Sequence, residues 1–313
     1  GIKDTFWTAI GLIVGTYLNW LFVAKPLRKC SIAFGDSITI PGFFRNRFKS
    51  DTCAVISVIL IVFFFTIYTA SGIVACGKLF QSVFGLDYIV GMIIGLIVIL
   101  SYTILGGYRA VCTTDFVQGA LIFIAFIIAG TVAIITLGGP LEAFNKAASF
   151  STDALAGKFN EDLKKVFAAN QNFSPMSAVS AFAWCLGYFG MPHIIIRFMG
   201  IRSNEEIKTA RRVGISWMII AYIGAFIIGS LGTVYLLPNI LNGDTAETVF
   251  SETMLKMFPS FIAGIFLCAI LAASMSTADS QLLSAASSVS LDLYKGMINK
   301  NADEKKVLLV SRV

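Results

Sequence analysis

Charge is scarce in this chain. Only 13% of its 313 residues are Asp, Glu, Lys or Arg, against 57% hydrophobic, and the mean hydropathy is +0.81. That excludes a soluble domain with one buried helix and points to a polytopic membrane protein. Histidine is nearly absent: His193 stands alone, which excludes a metal site built on histidines. The six cysteines, Cys30, Cys53, Cys76, Cys112, Cys185 and Cys268, form neither a paired framework nor a metal-type spacing, and read as small hydrophobes. No phosphate-cradling glycine loop is visible. None of the apolar segments has the form of a cleaved signal peptide.

What the chain does have is long apolar runs. About 20 such residues cross the hydrocarbon, and seven segments qualify, near 5–24, 53–77, 88–105, 115–137, 176–196, 213–237 and 261–286. The chain opens Gly1-Ile2-Lys3 without Met, and Val307 to Val313 reads as the start of another apolar run. The expectation is a fragment, cut at both ends. Basic residues cluster in alternate loops. Residues 25–52 hold Lys25, Arg28, Lys29, Arg45, Arg47 and Lys49; residues 197–212 hold Arg197, Arg202, Lys208, Arg211 and Arg212; the tail holds five more. The positive-inside rule then places these loops in the cytoplasm and the chain start outside. Topology accounts for the +6 net charge, so no nucleic-acid partner is expected.

Two connections are long. Residues 26–52 contain Ile40 to Phe48, where aromatics alternate with arginines. That suits an interfacial element on the cytoplasmic face, and equally an ordinary basic loop. Residues 138–175 are polar and expected outside, with short helices at Glu142–Ala148 and Glu161–Ala169. They divide the chain into 1–137, with four spans, and 176–313, with three.

The seventh segment carries a line of small polar residues. Ala273, Ser276, Thr277, Ser280, Ser284 and Ser287 fall at helical spacing on one face, with Asp279 among them. An aspartate at mid-membrane costs roughly 2.5–3.5 kcal/mol even on the lenient insertion scale. Small-residue packing between helices favours Ser, Ala and Thr too. Asp279 tilts the reading towards small oxygen ligands for a hard cation such as sodium. Asp115 opens the fourth segment after Thr113 and Thr114. It is either an N-terminal cap, stabilised by the helix dipole, or a partner of Asp279, Ser276 and Ser280 in one leaflet, forming a sodium cage or a proton site. The Gly106-Gly107 pair marks a tight turn before it.

The fifth segment is broken by composition. Trp184 to His193 places Gly187, Gly190 and Pro192 in mid-stretch. This is a proline kink, or an interrupted helix of the transporter kind that exposes backbone to substrate near the midplane. Trp184 and Tyr188 are four apart and so share a face just before the break, either walling a substrate pocket or packing as aromatic core.

Together these residues resemble the sodium:solute symporter family, most closely its sodium/proline branch. The likeness is carried by Phe65 to Ala75, by Gly106-Gly107, and by Thr114 to Gln118. It continues in Leu186 to Met199 and Ala269 to Thr277, and runs along the chain apart from the external loop. The resemblance implies an all-α, five-plus-five inverted-repeat (LeuT-type) fold, here incomplete. The seven spans match core helices two to eight. It further implies that Ala273, Ser276 and Thr277 are the principal sodium ligands, and that Asp115, Ser276 and Ser280, with position 279, resemble a second sodium site. Trp184, Tyr188 and Pro192 match substrate-binding positions, and Tyr68 matches a tyrosine near the external mouth. Met191 stands where the close proline branch usually has glutamine, and Asp279 stands where hydroxyls are common. The implied function is a sodium-coupled symporter of the cell membrane, importing a small amino acid, L-proline above others, by alternating access. It is not an enzyme, and its partners are that substrate, sodium ions and the lipid bilayer. A symporter for another small organic solute, or a seven-helix receptor, is the alternative. The receptor lacks paired extracellular cysteines here. An ion channel would need a repeated pore loop or carbonyl filter, and neither is visible.

Overall fold

The computed structural model describes residues 2–158, 164, 174–237 and 243–312, and among these there is no strand. Backbone in hydrocarbon must satisfy its own hydrogen bonds, and helices do so within one segment. The helices are α1 (Ile2–Asn19), α2 (Lys25–Ala33), α3 (Ile40–Phe48), α4 (Asp51–Phe84), α5 (Tyr88–Thr136) and α6 (Pro140–Leu155). They continue with α7 (Pro175–Ala183), α8 (Pro192–Met199), α9 (Glu206–Tyr235), α10 (Val249–Met257), α11 (Ser260–Ser287) and α12 (Glu304–Arg312). A π-helical turn, Trp20–Ala24, joins α1 to α2, and π-helix Ser288–Ile298 prolongs α11.

Local signals set the ends. Ser50 Oγ accepts from the Cys53 amide at 3.4 Å to open α4, and Gly85 closes it at φ 63°. Thr39 Oγ1 accepts from the Gly42 amide at 3.2 Å to open α3. Helix α5 has 49 residues, about 74 Å at 1.5 Å per residue. That is more than twice a hydrocarbon core of about 30 Å. Gly107, at φ 60° and ψ −159°, breaks it into two arms, so the third and fourth apolar segments meet at one residue rather than in a loop. Five helical stretches are long and apolar enough to span: Lys3–Ala33, Asp51–Phe84, Tyr88–Thr136, Glu206–Tyr235 and Ser260–Ile298. The pair Pro175–Phe189 and Pro192–Met199, bent by 47°, is a broken span. With the arms of α5 counted apart, these are the seven apolar segments of the sequence.

The chain forms two compact units that cut across its halves. The first comprises Gly1–Thr16, Gly119–Leu186 and Val213–Ala272; the second comprises Tyr17–Gln118, Gly187–Arg212 and Ala273–Val313. In the first, Ala125, Ala129 and Ala133 repeat every four residues, and their small side chains pack in one core with Ile228, Leu231, Met254 and Phe266. In the second, Ile40, Phe43, Ile195, Phe198 and Met199 form a core with Ala24, and Trp20 meets Phe198 edge-on at 4.6 Å. Helix α3 is thus an anchored element rather than a plain loop. Arg47 lies over the rings of Phe34, Phe43 and Phe48 at 5.7, 6.0 and 5.8 Å. In the long connection, α6 covers and extends the first short helix expected; the second, Glu161–Ala169, lies outside the described residues.

Candidate functional site

The second unit gathers acidic and hydroxyl groups from three helices. Asp279 on α11 is fully buried, and Ser280 beside it is 7% exposed. From the first arm of α5 the Tyr102 hydroxyl donates to Asp279 Oδ2 at 2.8 Å. From the second arm Asp115 faces Arg197 of α8, whose Nη2 donates to Asp115 Oδ2 at 2.5 Å and to Ser280 Oγ at 2.7 Å. The Ser280 hydroxyl donates in turn to Asp115 Oδ2 at 3.3 Å. Asp115 lies within electrostatic reach of Asp279, and Gln118 faces the Tyr102 hydroxyl.

Asp115 is no helix cap. It lies inside a helical arm, eight residues beyond the Gly107 break, where backbone amides are already paired. Arg197 is not simply a charge of a cytoplasmic loop either, since it belongs to α8 and turns onto Asp115. The cluster is short of donors. Asp115 Oδ1, Asp279 Oδ1 and Gln118 Oε1 are buried without a hydrogen-bond partner among the described residues. Arg197 pairs with Asp115, whereas the contact to Asp279 is the Tyr102 hydroxyl and no ion pair among the described residues reaches it. Buried unpaired charge is expensive. Acceptor oxygens with surplus negative charge suit a hard monovalent cation.

The stripe on α11 divides by face. Thr277 Oγ1 donates to the Ala273 carbonyl at 3.3 Å, so these two oxygens lie at one level, and Ser276 is half-buried beside them. On another face α4 approaches closely at Gly72. A methyl there would lie 3.3 Å from the Ser274 carbonyl oxygen and 3.5 Å from Ala278 Cβ. Part of the small-residue run is therefore helix packing.

The fifth segment is interrupted as its composition predicts. Residues Trp184–Phe189 form a 3-10 turn, the chain bends, and α8 restarts at Pro192. The loosened backbone is partly satisfied by a side chain: Asn19 Nδ2 donates to the Tyr188 carbonyl at 2.8 Å. Gly187, Gly190, Met191 and Pro192 line a cavity of about 840 Å³ together with Tyr68 and Ser71. Tyr68, Met191 and Pro192 are thus brought to one cavity. Trp184 is not on it. Its side chain is 71% exposed and borders a separate cavity of about 450 Å³ with Asp4, Thr8, Ser177 and Ser180. The reason lies in the turn. A 3-10 helix has three residues per turn, so positions four apart leave the common face that an α-helix would give them. Tyr188 is half-buried.

A smaller cavity of about 250 Å³ lies on the opposite face of α8, lined by His193, Ile196 and Arg197 of that helix and by Tyr108, Ser280 and Ser284. Tyr102 and Arg197 are functional candidates that the sequence hides. Tyr102 looks like one more aromatic near a span end, and Arg197 like one more topology charge.

The whole chain, residues 1–313, matches the sodium:solute symporter family. It is 40% identical over 312 residues to the osmoregulated proline transporter OpuE of Bacillus subtilis, covering 99% of this chain and 61% of that protein. It is 41% identical to the high-affinity proline transporter PutP of the same organism, covering 98% of this chain and 63% of that protein. A sodium/proline symporter of Staphylococcus aureus is 40% identical, covering 99% and 59%. The chain therefore spans about three-fifths of the length of these relatives. Among solved structures, a substrate-bound, outward-open Na+-coupled sialic acid symporter superposes with a TM-score of 0.69 at 22% identity. That match covers 99% of this chain and 66% of the other, and it supports the fold: all-helical, of the five-plus-five inverted-repeat type. By the match along its whole length, the chain belongs to the sodium:solute symporter family of multi-pass membrane proteins.

Proposed function

We propose that the full-length protein carrying this chain is a sodium-coupled symporter that imports L-proline by alternating access. The observation that carries this reading is the donor-poor cluster of Asp115, Asp279 and Ser280. It shares a compact unit with a cavity built on a broken span. An ion bound at the cluster and a solute bound at the break would bias one conformational equilibrium, which is what coupling requires. The named relatives are proline transporters, which favours proline over other solutes. They equally count against a receptor or an enzyme.

In this reading sodium is held at two places, by Ala273, Ser276 and Thr277, and by Asp115, Asp279 and Ser280. Tyr68, Met191 and Pro192 contact the solute at the cavity. Tyr188 belongs to the solute site on resemblance alone, and Trp184, which borders the other cavity, is left out of it. The protein sits in the cell membrane with the start of this chain outside and its basic loops in the cytoplasm, and 138–175 separates the two repeats. A second reading, a small organic solute other than proline, is favoured by one observation. Met191, where glutamine is usual in the proline branch, lines the cavity with an apolar side chain.

The test is uptake of radiolabelled proline by cells expressing the full-length protein, in sodium and in potassium media, with a panel of competing solutes. Saturable uptake in sodium alone, blocked by excess proline, supports the proposal. Sodium-dependent uptake of a different solute selects the second reading. No sodium-dependent transport at all would overturn both.

A further inference from the structure

We infer that Arg197 is a built-in rival of the transported cation: it holds Asp115 and Ser280 while no ion is bound, and its displacement by the ion is passed along α8 to the substrate cavity. This rests on the proposed function. The cluster shows why the two exclude one another. One nitrogen of Arg197 occupies both Asp115 Oδ2 and Ser280 Oγ. A cation using those same oxygens would sit against a like charge, and the two repel at such distance. Yet the guanidinium does not fulfil the site. Asp115 Oδ1 and Asp279 Oδ1 remain buried without hydrogen-bond partners among the described residues, and the guanidinium pairs with Asp115 alone of the two acids.

Arg197 also has somewhere to go. Its side chain is 43% exposed, against 9% for Asp115, and it borders the 250 Å³ cavity. The acid is fixed while the base can withdraw. What makes the displacement matter elsewhere is the position of α8. This eight-residue helix stands between two cavities. Pro192 and Ile195, with Met191 just before the helix, face the large one, while His193, Ile196 and Arg197 face the small one. Its N-terminal end is not continuous with a preceding helix: the chain is bent by 47° there and the preceding turn is 3-10. Releasing Arg197 frees one side of α8 and so shifts Met191 and Pro192 on the other. Arg197 is thus a positioning residue for substrate, and the ion acts through it.

The experiment uses the purified full-length protein with two readouts: the sodium-dependent rise in its thermal midpoint, and sodium-titrated proline uptake in proteoliposomes. Arg197→Gln should lower the sodium concentration for half-maximal effect in both by at least about fivefold, the low end of ordinary coupling factors. Proline uptake should also lose part of its dependence on sodium. Arg197→Lys keeps the charge but places it on a more strongly hydrated head that leaves the buried acceptors more readily, so it should move both readouts the same way by about twofold. Should Arg197→Gln fail to fold, the lysine variant decides alone. A half-maximal sodium concentration that is unchanged or raised in the folded variants overturns the inference. If the wild-type protein shows neither a sodium-dependent thermal shift nor sodium-dependent uptake, the proposed function itself has failed. A wild type that responds with variants that do not move rejects only the role of Arg197.

Discussion

Asp279 and Asp292 lie thirteen residues apart on one stretch of chain and are equally hidden, at 0% and 4% exposure. Each keeps one carboxylate oxygen without a hydrogen-bond partner among the described residues. Their neighbours differ. Asp292 sits in the π-helix and accepts from the Thr39 hydroxyl at 2.9 Å, while Arg45 donates to its backbone carbonyl at 2.6 Å. Arg45 also pairs with Asp51 at 2.9 Å. This is a lock between the N-terminal cap of α3 and the end of the long helix. Gly42 allows its closeness, since a methyl there would meet both Asp292 Oδ1 and Thr39 Oγ1 at 2.8 Å. Asp279 instead meets a hydroxyl on one side and the field of a second carboxylate on the other. Burial alone, then, does not mark an ion site. A second acid without a second base does.

The comparison can be broken from either side. The largest effect is expected from Asp115→Ala. An interaction with an ionised group is worth about 1.5–3 kcal/mol, and the side chain of Asp115, only 9% exposed, argues for the upper end. At about 1.4 kcal/mol per tenfold, half-saturating sodium in uptake should rise roughly a hundredfold. A change below about tenfold would place Asp115 in the structural class of Asp292. Next comes the double substitution Ser276→Ala with Thr277→Ala. Two lost oxygen ligands should raise half-saturating sodium by about tenfold, near 1.4 kcal/mol. Unchanged sodium dependence in the folded double variant would return the stripe to helix packing. Asp292→Ala should act on stability alone. The lost charge-assisted hydrogen bond is worth about 1.5–3 kcal/mol, read as a lower thermal midpoint, with half-saturating sodium untouched. A large sodium effect there would erase the distinction between the two aspartates. The smallest effect is expected from Met191→Gln. A glutamine at the cavity should strengthen proline binding by up to about fivefold, roughly one hydrogen bond, with sodium dependence preserved. Competition assays over several solutes would check it, and weaker proline binding would favour a different solute.

Much of this was legible in the sequence. Hydropathy marks the spans because a lipid-facing helix must be apolar along its whole length. Gly187, Gly190 and Pro192 mark the break because backbone chemistry is local. Asp115 and Asp279 stand out because carboxylates in such runs are costly. What sequence could not show is contact across the fold. Arg197 follows Pro192 by five residues, and only the bend at the break turns it onto Asp115 instead of leaving it in a basic loop. Tyr102 reaches Asp279 from the first arm of α5, across 177 residues of sequence. The Trp184 and Tyr188 pairing depended on α-helical pitch, and the 3-10 turn removed it. Asp292 gave no signal, since its partner Thr39 lies 253 residues away.

Direct binding of radioactive sodium tests, without transport, whether the cluster of Asp115 and Asp279 is a cation site. Purified full-length protein would be compared with the Asp115→Asn/Asp279→Asn double variant, and with Asp292→Asn as the structural control. The double variant should bind about one sodium ion fewer per protein, the ion that the two carboxylates would hold together, while Asp292→Asn binds as wild type does. Equal sodium binding by the double variant and the wild-type protein would contradict a cation site at that cluster.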